Sequence, residues 1–131
     1  MARVDELTIQ EDLVVAVLAV NRWSLERSFA LLDGLRAEGL VDFNILVALP
    51  PAEVQLRLVR AGYGRGEYLV SLLAARLQSV AQGLPVERLN KLIECERMGQ
   101  IKSVDAILLS LNGIGPTVLT NYKRLRSLVG N

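Results

Sequence analysis

The sequence predicts an all-α, multi-helix fold of about eight helices. Three observations carry that expectation. Apolar residues recur three and four positions apart, no segment sustains a two-residue alternation, and glycines and prolines stand at the ends of the periodic stretches. At 131 residues the chain suits one domain with a proper core, so residues 1–131 are read as a single all-α unit. No repeat, low-complexity tract or linker breaks it.

The elements follow in order. Thr8-Ile9-Gln10-Glu11 fits a capping box that opens a first helix ending near Asn21. Within it, Leu13 to Val20 is apolar without a break, yet shorter than the roughly 20 residues a bilayer requires. A buried core helix is the reading, and no membrane association is expected. Ser24 caps a second helix that faces Phe29, Leu32 and Leu35 to the core and stops at Gly39. Asp42 starts a short third helix that must finish before Pro50-Pro51. A fourth runs from about Pro51 to Ala61, with Val54, Leu58 and Val59 inward and Gly62 past its end. After the loop Gly62-Tyr63-Gly64-Arg65-Gly66, a long helix spans Glu67 to Gln82 and is closed by Gly83. Pro85 introduces a sixth, reaching about Met98-Gly99. Ser103 and Pro116 begin the last two, in a helix-hairpin-helix at about 103–128. There Ile107, Leu111, Ile114, Val118, Tyr122 and Leu125 step in threes and fours as one buried stripe.

Composition closes off much chemistry. The chain has no histidine and one cysteine, Cys95. Ser/His and Cys/His nucleophile pairs, His-containing zinc sites, internal disulfides and cysteine-ligated clusters are thereby excluded. Glu94 and Glu96 flank Cys95, disfavour its thiolate, and splay apart on a helix, so they make no catalytic pair. Met1-Ala2-Arg3-Val4-Asp5-Glu6 lacks the basic start of a signal peptide, and a cytoplasmic protein is expected. Net charge is +1 but unevenly spread: residues 1–53 hold nine acids and four arginines, the remainder eleven bases and five acids. A basic half suits a phosphate-facing surface. Solvated helix faces are the plainer alternative.

The most informative stretch is Leu111-Asn112-Gly113-Ile114-Gly115-Pro116-Thr117. Two glycines let the backbone turn sharply and leave no Cβ to hold a phosphate away from their N–H groups. Pro116 suits the first position of a helix, whose free amides and partial positive charge favour an anion. A plain αα-turn, with glycines present for φ alone, is the competing reading.

The order of the elements resembles the helix-hairpin-helix DNA glycosylases, the endonuclease III superfamily. The likeness covers roughly Leu13 to Arg126 and is specific at Leu111 to Pro116. It implies that Gly113 and Gly115 offer amides to one phosphate, that Ile114 anchors the hairpin between its helices, and that Thr117 adds an amide and a hydroxyl. Asn112 would hold the turn or adopt a left-handed conformation. Lys123 and Arg124 would reach neighbouring phosphates, and Arg65 either touches DNA or faces water. The resemblance also admits a monovalent cation on hairpin carbonyls; no other cofactor is expected.

Departures from the family pattern argue against catalysis. Thr117 occupies the position of the Schiff-base lysine and cannot form an imine. The family's essential aspartate would fall beyond Asn131, and so would the helices that complete its base pocket. Leu119 replaces the small residue that usually lets the two hairpin helices approach. The expectation is therefore a DNA-binding domain without catalytic residues, gripping the phosphate backbone without reading sequence. Its rival is a helical interaction module, a homodimer or the partner of a repair protein, using the chain's apolar excess: 51% hydrophobic residues and a mean hydropathy of +0.32. Tyr63, Tyr68 and Trp23 are read as core or helix-edge residues rather than stacking platforms.

Overall fold

The computed structural model describes residues 6–126, with side chains from Ile9 onward. Nine helices make up the described residues, and no strand occurs among them: α1 (Glu6–Leu18), α2 (Leu25–Ala30), α3 (Leu32–Ala37), α4 (Phe43–Ala48), α5 (Pro51–Arg60), α6 (Glu67–Gly83), α7 (Val86–Arg97), α8 (Ile101–Leu109) and α9 (Pro116–Arg126). Among them, no single helix is long and apolar enough to cross a membrane. The end of the expected hairpin segment, positions 127 and 128, lies outside the described residues.

α1 is the centre of the molecule. Every residue from Ile9 to Ala19 is buried, as an apolar-all-round helix must be. α9 packs most extensively against it, with α2, α6 and α7 completing the surround. α4 and α5 lie on the far side of α6, and α8 bridges α7 and α9.

Local signals set most boundaries. Ser24 Oγ accepts from Arg27 N–H at 3.1 Å and Asp42 Oδ1 accepts from Asn44 N–H at 2.9 Å, the caps expected of them. α3 and α5 end alike, at Gly39 (φ 75°) and Gly62 (φ 109°). The next amide reaches back five residues in each case, Leu40 to Leu35 O and Tyr63 to Leu58 O.

Five expectations are corrected. α1 begins by Glu6, so Thr8 lies inside it rather than at its start. Gln10 and Glu11 instead serve distant partners: Gln10 Oε1 accepts from Phe43 N–H at 2.7 Å, and Glu11 takes Arg36 in two bonds of 2.7 and 3.1 Å. The second helix is two helices, broken at Leu31, whose amide makes a tight bond to Ser28 O. That break turns Phe29 outward, 47% exposed, while Leu32 and Leu35 remain in the core. Val59 faces solvent at 51% exposure, since Val54 and Leu58 alone fill the inward stripe of α5. The first hairpin helix starts at Ile101, two residues before Ser103. In the hairpin stripe Leu111, Ile114, Val118 and Tyr122 are buried, with Ile107 and Leu125 packed at the edge. Leu119 is accommodated inside the same core.

A buried ionic group ties the end of α9 to the rest. The Arg126 side chain, 2% exposed, donates to Asp12 Oδ2 on α1 at 3.1 Å and to Glu96 Oε1 on α7 at 2.7 and 3.1 Å. Tyr122 Oη donates to the other Glu96 oxygen. Burial, and then the adjacent Glu96 carboxylate, push the Tyr122 phenol well above its ordinary 10.0; burial also raises Tyr63. Removing one member of such a group leaves charge stranded in the interior. Arg126→Met is expected to cost about 3–5 kcal/mol in urea denaturation. Arg124→Met, at an exposed position of the same helix, should cost about 0.5 kcal/mol or less. Equal losses would refute this assignment.

The tyrosines give a pH dependence of definite sign. A phenol raised in the folded state stays neutral where the unfolded chain ionises, so stability holds up to about pH 10 and falls above it. In denaturation measured across alkaline pH, Tyr122→Phe should make that fall shallower, leaving the part due to Tyr63.

Candidate nucleic-acid interface

The hairpin is built against the end of α6. At Gly113, φ is 97°, and a Cβ there would come within 3.2 Å of Arg76 O and 3.4 Å of Val80 Cγ2. Glycine is required twice over at this position, by conformation and by close approach. Gly115 differs. Its φ is not positive, and a Cβ built on it would meet nothing within 4 Å. The fold itself imposes no glycine there.

Asn112 is exposed and does not take the left-handed conformation, which falls to Gly113 alone; nor does its side chain bond to the turn. Ile114 is buried, as anchoring requires, and its amide points back to Leu111 O at 3.4 Å. Leu119 N–H closes the first turn of α9 onto Gly115 O at 3.0 Å. The amides of Gly113, Gly115 and Thr117 have no acceptor among the described residues.

These groups face an open groove of about 540 Å³. It is lined by Leu111 to Val118, by Val20 and Asn21 from the turn between α1 and α2, and by Arg76 of α6. No carboxylate of the described residues lines it. Arg76, half-buried, has no acidic partner among the described residues.

The turn after α1 is fixed by side chains from the α5–α6 loop and from α9. α1 ends buried, and side-chain donors supplement the backbone bonds to its last carbonyls. Asn121 Nδ2 of α9 donates to Ala16 O and Ala19 O at 3.2 and 3.0 Å, and the fully buried Tyr63 donates from Oη to Leu18 O at 2.8 Å. Arg65 donates to Val20 O at 2.7 Å and also to Asn21 O. Its guanidinium lies 5.1 Å from the centre of the Trp23 ring, and Tyr63 meets that ring edge-on. Asn21 and Arg22 accept left-handed conformations (φ 55° and 70°) within this frame.

The structure therefore separates the sequence-derived site residues. Asn112, Gly113, Ile114, Gly115 and Thr117 share the groove. Arg65 does not line it; this arginine braces the turn behind. Lys123 Nζ pairs with Asp105 Oδ2 at 3.2 Å, so its charge is matched inside the hairpin. Arg124 is exposed on α9 and carries no ion pair among the described residues. Arg76, Asn21 and the bracing residue Asn121 are the additions sequence reasoning missed. One signal was there: Arg76 is the sole base in α6, set among apolar residues.

Among the described residues, no group of histidine, cysteine and carboxylate side chains is placed to hold a metal ion. Comparison with protein-family models, with curated proteins and with solved structures finds no match to this chain.

The bracing of the turn is open to test. Asn121→Leu strands two buried carbonyls and should lower stability by about 2 kcal/mol in urea denaturation. A loss no larger than that of an exposed substitution on α9 would show that the carbonyls find other donors.

Proposed function

We propose that the hairpin groove grips the sugar-phosphate backbone of DNA, without reading sequence and without catalysis. The observation that carries the reading is Gly115: no Cβ is needed or forbidden there by the protein, while its amide and that of Thr117 open toward the groove. A phosphate oxygen seated there would accept from these amides and sit at the positive end of the eleven-residue α9. Arg76 lines the same groove and supplies a full charge, and no carboxylate of the described residues lines it to repel the ligand. The likeness of Leu111 to Pro116 to the helix-hairpin-helix glycosylases supports the same reading. On that likeness the domain is a relative that keeps the grip and lacks the lysine nucleophile.

A second reading, a protein-interaction module, draws on the apolar groove between α5 and α6. Leu56, Val59 and Val70 line it, and Tyr68 stands beside it 77% exposed.

Anisotropy titration of a labelled duplex at low salt separates the two. The expected Kd is on the order of 10 μM, weakening steeply with salt. Gly115→Asp puts a carboxylate where the phosphate would sit and should weaken binding about tenfold or more. Arg76→Gln should lower the salt slope by about 1. No binding at low salt, or unchanged binding by Gly115→Asp, sinks the DNA reading. A concentration-dependent mass in light scattering, unaffected by Gly115→Asp, would support the interaction module in its place.

A further inference from the structure

The groove wall at Asn21 continues directly into a cluster of arginines that no acid neutralises. On α3 and α5 every base is paired: Arg36 with Glu11, Arg57 with Glu53, Arg60 with Glu38. Arg22, Arg27 and Arg65 have no ion pair among the described residues, and neither has Arg76. The segment from Asn21 to Ala30 contains one carboxylate, Glu26, against Arg22 and Arg27. Glu67 follows the loop that carries Arg65 but makes no ion pair with it.

Trp23 gathers the cluster. The Arg27 guanidinium lies 5.0 Å from the ring centre and that of Arg65 lies 5.1 Å from it, so two cations share one indole. Both cations add to the positive field on this side of the turn, which favours an anion. Arg65 is spent on the Val20 and Asn21 carbonyls, whereas Arg22 and Arg27 are exposed.

Resting on the DNA reading above, we infer that this cluster is a second phosphate contact on the same strand. The strand leaves the hairpin groove past Arg76 and Asn21 and meets Arg22 and Arg27 with a neighbouring phosphate. Arg65 is a positioning residue, holding the turn that presents them. The partner defined by this surface is a polymer with regularly repeated phosphates; a lone phosphate engages the hairpin only.

The double variant Arg22→Gln/Arg27→Gln tests the inference, measured by anisotropy on a labelled DNA duplex across a salt series. Neither side chain has an ion pair among the described residues, and only the Arg27 contact with Trp23 is lost, so the urea midpoint should fall slightly and the variant remain fully folded under the binding conditions. The Kd at low salt should rise about tenfold, and the slope of log K against log salt should fall in magnitude by about 2. The corresponding double lysine variant should restore most of both, since the contact is with phosphate charge. Parent-like affinity and slope in the glutamine variant, with Gly115→Asp still defective, would overturn the second contact and leave the hairpin grip standing. Loss in the glutamine variant with Gly115→Asp unaffected would overturn the hairpin grip, and with it the two-point contact. Failure of the parent to bind at low salt would overturn both.

Discussion

The carboxyl end of α1 is the constraint on which the rest of the arrangement depends. A helix buried along its length ends inside the protein, and its last carbonyls lose water as a partner. Tyr63, Asn121 and Arg65 replace that water, drawn from the α5–α6 loop and from α9. Each bond is modest alone, on the order of 1 kcal/mol net, but leaving a carbonyl unpaired costs more than making the bond gains. The three side chains therefore fix where α9 and the loop must lie. The groove between hairpin and turn is a consequence of that fixation.

The middle of α1 is handled differently. Glu11 and Asp12 are buried acids, and each is met by an arginine distant in sequence, Arg36 and Arg126. Such pairs contribute little net stability against apolar replacements, but they are costly to half-remove. They also set register: α1 is held by charge at its middle and by hydrogen bonds at its carboxyl end.

What the sequence disclosed, and what it withheld, follows from this division. Helix ends at Ser24, Asp42, Gly39, Gly62 and Pro116 were legible because a cap or a positive φ is decided within a few residues. Thr8 misled for the opposite reason, since Gln10 and Glu11 belong to tertiary partners that no local pattern reveals. Charge needs the tertiary structure too: the acid-rich first half and the base-rich second half partly match each other, since Glu38, Glu53 and Asp12 pair with Arg60, Arg57 and Arg126. Gly113 and Gly115 looked equivalent as letters; the positive φ of the first and the backbone of α6 lying against it distinguish them.

That distinction bears on how a protein with net charge of only +1 would hold a polyanion. Net charge governs the field at a distance, which salt screens beyond about 10 Å. At contact, what matters is which donors lack partners. In the proposed interface the amides of Gly115 and Thr117 are set by helix geometry and need not be ordered on binding. Donors already in place lose little entropy when the ligand arrives, so few contacts suffice for a useful grip. An open groove lined this way suits a chain of phosphates passing through it, since it offers repeated charge contacts and no enclosure for a base.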